Sequence, residues 1–228
     1  MDNRRLASSL AFLVAAFAIA VGVTHFLMPR EQLHLATGAS NAFYASLAAN
    51  SGPFRVHYWS FVVAALANLG LVIAVRSLIS EPRSLLYRLT ETIAIVGLSV
   101  TAIDFALMQS KALSLVDRLP NLDASAQAAV IALGLPHLDP TGLFGFALPG
   151  AWLVVFSLEA RRTRSITAAV AFLGLLAGLL YASVFLGSVA HLTLVIDLAA
   201  GLGGVVVFPV WAVCIGLVLH RSAAPRNH

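Results

Sequence analysis

The residues with the most chemical potential are Asp104 and Asp197, because each interrupts a long apolar stretch. An ionised carboxylate at the centre of a membrane-spanning helix costs about 2.5–3.5 kcal/mol, so a partner or water must offset this cost. Thr101 precedes Asp104 by three residues and Thr193 precedes Asp197 by four, and both spacings return to one helical face. We therefore expect two polar stripes that meet inside a helical bundle.

The chemistry of this pair depends on whether the two carboxylates face one cavity. Carboxylates that share a cavity repel one another, so one of them would hold a proton that it can exchange. Asp104 and Asp197 would then serve proton transfer, cation binding or general acid–base catalysis. In the plainer interpretation, each aspartate caps a neighbouring helix, pairs with an arginine or meets water near the membrane surface.

Histidines gather at the same end of the predicted spans as the aspartates. His25 ends the first span, His57 opens the second and His191 opens the sixth. Imidazoles near carboxylates are ligands that zinc, copper and iron prefer, so these three histidines form a candidate metal set. No His-x-x-x-His pair is present, however, and b-type haem needs histidines deeper inside facing spans. No motif therefore indicates a cofactor, and anchoring at the membrane interface is the alternative role.

The second span carries a further polar stripe, since His57 and Asn68 lie eleven residues apart, almost three helical turns. Such side chains line a cavity or fasten neighbouring helices at roughly 0.6 kcal/mol each. The candidate ligand-binding residues are accordingly His57, Asn68, Thr101, Thr193 and His191.

The elements that must position these residues are membrane-spanning helices. Of the 228 residues, 60% are hydrophobic and 11% charged, whereas charged residues reach about 25% in soluble proteins. A hydrocarbon core of about 30 Å takes roughly 20 helical residues to cross, and open strands cannot cross it. Sufficient apolar runs lie near residues 6–28, 57–78, 86–108, 141–158, 166–189 and 192–219. We predict an all-α fold, a polytopic six-transmembrane-helix bundle that forms a single integral-membrane domain over residues 1–228.

The distribution of cationic residues orients this bundle, because cytoplasmic loops carry an excess of lysine and arginine. One side holds Arg4, Arg5, Arg76, Arg83, Arg88, Arg161, Arg162, Arg164, Arg221 and Arg226; the other holds Arg30, Arg55, Lys111 and Arg118. Both termini are therefore predicted to be cytoplasmic. The two long segments, residues 29–56 and 110–140, are then extracytoplasmic, and we expect short interfacial helices in them.

Several local patterns give sharper expectations. Asp123 is placed to cap a short apolar helix that Gly134 and Pro136 end. Pro149 and Pro209 each lie inside an apolar span, where proline removes a backbone hydrogen bond and kinks the helix. Arg88 and Glu91, three residues apart, are expected to pair on one helical face.

The motifs that are absent exclude several functions. The sequence has no Walker loop, no Gly-rich dinucleotide turn and no Gly-x-Ser-x-Gly, so nucleotide hydrolysis and serine hydrolase chemistry are not expected. Basic runs interleaved with aromatic residues are also missing, which argues against a nucleic-acid partner. Cys214 is the one cysteine, so no internal disulfide forms.

Two sequence stretches carry a resemblance to a known family. Phe146-Ala-Leu-Pro-Gly-Ala-Trp in the fourth span and Pro209-Val-Trp-Ala-Val-Cys-Ile-Gly-Leu-Val-Leu at the end resemble a broad bacterial family of six-span membrane proteins, known as a domain of unknown function. The resemblance loosely covers most of the chain. It implies the six-helix fold, and it supplies no activity or catalytic residues. For the location of the chain, we predict the bacterial inner membrane.

Three functions follow from these observations. In the first, an outer-leaflet polar cavity binds a small ligand or ion, or the chain docks a membrane partner as an auxiliary subunit, with membrane lipids around it. In the second, the chain is a membrane-embedded enzyme that acts on a lipid or isoprenoid, with Asp104 and Asp197 as acid and base. In the third, the Ile-Asp-apolar-Ala echo around these aspartates marks inverted halves of a proton-coupled small-molecule transporter.

Overall fold

The computed structural model describes residues 3–33, 40–79, 84–135 and 137–222, and within these ranges the regular structure is helical. Two π-helical segments, Leu143–Ala147 and Gly201–Val207, lead into helices α7 and α10. Short 3₁₀ turns at Val75–Leu78 and Leu119–Asn121 extend α4 and α5. The α-helices are α1 (Asn3–Leu27), α2 (Arg30–Leu33), α3 (Asn41–Ala49), α4 (Gly52–Ala74), α5 (Leu85–Arg118), α6 (Ala124–Leu133), α7 (Leu148–Arg162), α8 (Ala168–Val189), α9 (Thr193–Ala200) and α10 (Phe208–Ser222).

Six helical stretches are long and apolar enough to cross a membrane, as the sequence predicted. They are Arg5–Leu27, Gly52–Leu78, Leu85–Asn121, Leu143–Arg162, Ala168–Val189 and Thr193–Arg221, here called spans one to six. Span three is longer than expected, because α5 continues past residue 108 to Arg118. Its 34 residues extend about 51 Å, well beyond a hydrocarbon core of about 30 Å.

The spans form a closed ring in chain order. Each span packs on the next one along the chain, and span six packs on span one through α10 and α1. A hydrogen bond fastens this closure, since the Ser8 hydroxyl donates to the carbonyl oxygen of Gly216 at 2.9 Å. Large aromatic side chains, among them Trp152, Phe156 and Trp211, are fully buried in the ring. The interior of the ring is therefore filled by packed side chains.

The short helices lie at one end of the ring, where spans one, three and five finish and spans two, four and six begin. We call this the loop end. A second apolar cluster packs there, formed mainly by Phe43, Leu47, Phe54, Tyr58 and Met108. The buried Gln32 amide donates to the Ser46 hydroxyl at 3.1 Å and to the Asn50 carbonyl at 3.0 Å, which fastens α2 to α3.

The predicted loop helices can be compared with this end of the molecule. Helix α6 begins after Asp123, whose carboxylate accepts the Ala126 backbone N–H at 2.8 Å, and it ends at Gly134 with φ +66°. Pro136, the other predicted stop signal, lies outside the described residues, as do residues 34–39 of the first long segment. The position of these helices relative to a membrane surface stays a prediction.

The predicted prolines coincide with the two irregular helical segments. Pro149 follows the π-helical segment Leu143–Ala147 by two residues, and Pro209 follows Gly201–Val207 by two. Because proline has no N–H to donate, the turn before it cannot keep the regular α-helical bonding pattern. In these two spans, the backbone irregularity takes the form of wider helical turns.

The expected pairing of Arg88 with Glu91 is wrong. The buried Glu91 carboxylate instead lies 3.0 Å from the Arg76 guanidinium, at the end of span two. Arg88 is exposed on the same helix as Glu91. The ion pair therefore joins two neighbouring spans, because the last turn of span two reaches the first turns of α5.

Candidate functional site

The Asp104 carboxylate is buried and is bound by the segment that precedes span four. One carboxylate oxygen accepts the Leu138 backbone N–H at 2.9 Å, and the other lies 3.0 Å from Nδ1 of His137. The Asp104 side chain is 4% exposed, whereas that of His137 is 33% exposed. The site therefore has a buried anion at its base and a half-open imidazole at its surface.

A chain of local contacts positions His137 and Leu138. Gly134, with its positive φ, turns the backbone away from α6. The Asp139 carboxylate then accepts the Gly145 backbone N–H at 2.7 Å, and Gly142, with φ +74°, starts the π-helical segment. Residues 137–145 are thus fixed to α5 by Asp104 and to span four by Asp139.

Small residues on α5 allow this segment to approach closely. A Cβ atom on Gly97 would lie 2.5 Å from the Phe144 carbonyl oxygen, so only glycine leaves room for that carbonyl. Thr101, one turn further along, donates its hydroxyl to the Gly97 carbonyl at 2.9 Å. Its oxygen faces Gly145, where a Cβ would lie 3.4 Å away. Thr101 therefore borders the same segment as Asp104, on the helical face that the sequence predicted.

The hydrogen bonds assign the protonation of His137. Since an ionised carboxylate can only accept hydrogen bonds, Nδ1 of His137 carries the proton that it shares with Asp104. Nε2 is then the nitrogen left for other partners. A neutral imidazole held in this way accepts a proton or hydrogen bond at Nε2, and an imidazolium donates one there. The arrangement can thus bind a polar group and exchange a proton with it.

Sequence reasoning placed Asp104 in the site but missed both His137 as its partner and Asp139. The sequence signal was His137-Leu-Asp-Pro immediately before an apolar span, a pattern typical of a turn that leads into a helix. His137 lies 33 residues from Asp104. No local periodicity links positions so far apart.

The structure places Asp197, Thr193 and His191 elsewhere. All three are exposed, His191 in the turn after α8 and the other two on α9. Helix α9 packs on α8 and on its own continuation, whereas Asp104 faces the segment before α7. A joint role for Asp104 and Asp197 stays a prediction, and the described contacts of Asp104 centre the candidate site on His137 instead.

Two other predicted residues are buried in span two. His57 is bonded to the Thr24 hydroxyl of span one at 2.8 Å, and its ring centroid lies 6.0 Å from that of His25. Asn68 is also buried, and its Oδ1 atom has no hydrogen-bond partner among the described residues. Neither residue contacts the Asp104–His137 pair through a described hydrogen bond. The buried polar residues of span two, His57 and Asn68, are thus separate from the Asp104–His137 hydrogen bond.

A closed metal centre is not formed by the described residues. Within residues 3–33, 40–79, 84–135 and 137–222, no three His, Cys, Asp or Glu side chains come together as metal ligands would. Of the three histidines proposed from sequence, the structure brings together His25 and His57.

Comparison of this chain with protein-family models, with curated proteins and with solved structures gave no match. The resemblance to a bacterial six-span family therefore stays a prediction.

Proposed function

We propose that this chain is a multi-pass protein of the bacterial inner membrane with both termini in the cytoplasm and the loop end outside. The six apolar spans and the excess of arginine at the opposite end support this orientation. Single cysteines in a Cys214→Ala background test it: Ser125→Cys at the loop end should react with a membrane-impermeant thiol reagent on intact cells, and Arg161→Cys should not. The reverse labelling pattern would overturn the orientation.

At the loop end, the site centred on Asp104 and His137 binds the polar group of a small ligand at the membrane surface and exchanges a proton with it at His137. The observation that carries this proposal is the contrast in exposure across one hydrogen bond, 4% for Asp104 and 33% for His137. The Leu138 N–H also binds the carboxylate and holds the segment. The imidazole adds a titratable group that remains open at the surface.

The surroundings of His137 favour an amphiphilic ligand such as a lipid. Leu133 and Leu138, which flank it in the chain, are 85% and 49% exposed. A polar group bonded to Nε2 would therefore lie beside apolar surface that suits an acyl or isoprenoid chain.

The test is mass spectrometry of lipids and small molecules that co-purify with the full chain in mild detergent. We expect His137→Gln to lose a species that wild type retains, with its melting temperature little changed. His191→Gln, another exposed loop-end histidine, should retain that species. Identical bound species in wild type and His137→Gln would overturn the binding role and leave the Asp104–His137 bond as a structural anchor.

A second candidate function is acid–base catalysis on a lipid or isoprenoid, with His137 in the role predicted for Asp197. The hydrogen bond from Nδ1 to Asp104 favours it, because a carboxylate that fixes the imidazole tautomer prepares Nε2 as a base. Chemical change of the co-purifying lipid on incubation with wild type, abolished in His137→Gln, would distinguish catalysis from binding. An unchanged lipid would leave binding as the function.

A further inference from the structure

A second polar site lies between spans one and two, where His57 is held in one orientation. The Thr24 oxygen lies 2.8 Å from Nδ1 of His57. It also lies 2.7 Å from the Ala20 carbonyl oxygen and 3.1 Å from that of Val21. A threonine hydroxyl has one proton, and here it is donated to a carbonyl of its own helix. Nδ1 of His57 is therefore the donor to Thr24, and in this tautomer Nε2 carries the lone pair.

Packing fixes the ring of His57 further. It meets Phe61 edge to face with ring centroids 5.1 Å apart, and Tyr58 at 5.6 Å. His57 itself is buried. A ring held by the Thr24 hydrogen bond and two aromatic neighbours is oriented before any ligand arrives, which lowers the entropic cost of binding.

The ring of His25 completes the pair. The centroid of the His25 ring lies 6.0 Å from that of the His57 ring, and the angle between the two ring planes is 43°. His25 is exposed. A metal bound to a ring nitrogen at about 2.0 Å lies about 3 Å from the ring centroid. When two imidazoles bind one ion, the distance between their ring centroids depends on the angle between the two nitrogen–metal bonds. This distance is about 5 Å at a tetrahedral angle and about 6 Å when the rings lie on opposite sides of the ion. The observed separation falls within this range.

We propose that His25 and His57 form a two-histidine site for a transition-metal cation of the zinc and copper class. Two neutral imidazoles select these ions over magnesium or calcium, which prefer oxygen ligands. The hydrogen bond from His57 to Thr24 is the outer contact that metal-bound histidines characteristically make, and it sets which nitrogen binds. Because the described residues supply no third ligand of the His, Cys, Asp or Glu type, water or an external group fills the other positions.

No described hydrogen bond links this site to the Asp104–His137 pair, although Phe61 contacts both the His57 ring and the Phe105 ring. Open coordination positions are typical of metal sites that react or exchange, whereas structural zinc sites are closed by four protein ligands. His25 is exposed in the last turn of α1, so an ion and its external ligand would reach the pair from that side. Loss of the metal should therefore leave the fold intact.

The experiment is titration of the full chain in detergent with Zn²⁺ alone, by equilibrium dialysis and metal analysis. Wild type should bind one ion more tightly than the background set by the other histidines. His25→Gln and His57→Gln should each weaken this binding at least tenfold. Thr24→Val should weaken it by about 10- to 100-fold through loss of the outer contact, and Thr24→Ser should restore it.

Two loop-end controls make the result specific. His137→Gln and His191→Gln remove one histidine each and should leave the tight Zn²⁺ site unchanged. If buried His57 proves necessary for folding, exposed His25 carries the test alone, with Co²⁺ absorption as a second readout of imidazole ligation. Equal Zn²⁺ affinity in wild type and His25→Gln would overturn the proposal.

Discussion

Gly150 of α7 and Gly178 of α8 lie directly against one another at the crossing of spans four and five. A Cβ on Gly150 would lie 2.9 Å from the Gly178 carbonyl oxygen, and a Cβ on Gly178 would lie 2.7 Å from that of Gly150. Small residues at such crossings let two backbones pack closely, which drives helix association where the hydrophobic effect cannot.

We predict that Gly150→Ala lowers the free energy of unfolding by about 1–3 kcal/mol, because the new methyl group forces two backbones apart. Gly201→Ala is the matched control, since a Cβ there meets nothing within 4 Å. The control should be neutral or slightly stabilising, as alanine is the better helix former. Reversible unfolding in mixed detergent measures both variants, and equal stability would contradict this close crossing.

The Arg76–Glu91 pair should respond unequally to loss of its two members. Glu91 is 6% exposed on its side chain and Arg76 46%. Arg76→Ala removes a counter-charge from a buried carboxylate and should cost about 2 kcal/mol. Glu91→Gln removes the charge opposite a half-exposed guanidinium, and should cost about 1 kcal/mol or less. Thermal unfolding of both variants checks the order, and a larger loss in Glu91→Gln would refute it.

Gly97 should matter for the site as well as for packing. In Gly97→Ala the new Cβ must displace the Phe144 carbonyl, which lies 2.5 Å from its position. We expect residues 137–145 to move away from α5 and their backbone amides to exchange faster with solvent. Gly204→Ala, where a Cβ meets nothing within 4 Å, is the control. Hydrogen exchange followed by mass spectrometry reads both, and unchanged exchange at Leu138 would count against the arrangement.

The cap of α6 should depend on pH. Hydrogen bonds from the Ala126 N–H and the Ser125 hydroxyl lower the pKa of Asp123. A carboxyl whose pKa is lowered by folding stabilises the fold at pH values above its pKa in the unfolded chain, which is about 3.9. This stabilisation is lost as the pH falls through the pKa of the carboxyl in the folded protein. We therefore expect the Ala126 amide signal in an NMR titration to report loss of the cap below about pH 4. Asp123→Asn, which still caps a helix, should abolish this titration.

Much of the fold follows from local sequence rules. The six spans are predictable because an apolar run of about 20 residues in lipid has few alternatives to a helix. The start of α6 is predictable because Asp123 satisfies the amide of Ala126 three residues on, within the same short stretch. The length of α5 was not predictable, because its final turns lie beyond the apolar run. These turns are held by contacts with the apolar cluster at the loop end, to which Met108 and Ala112 belong.

The site was harder to predict, for a physical reason. Apolar surroundings show that Asp104 needs donors, but the donors come from a turn whose path depends on Gly97, Gly134 and Gly142 together. Asp197 has a similar sequence context, yet it is exposed on α9. Helix packing decides which of two similar carboxylates becomes buried. The periodicity of the sequence does not show which helices pack against one another.

The closure of the ring bears on how the protein is assembled during synthesis. The contact surface of α1 for α10, with its hydrogen bond from Ser8 to Gly216, is translated about 200 residues before its partner. Until span six is made, Ser8 and Phe12 of α1 lack the neighbour that Gly216 supplies. We therefore expect ring closure to be a late event in synthesis, and substitutions near Gly216 should leave a chain in which α1 and α10 stay apart.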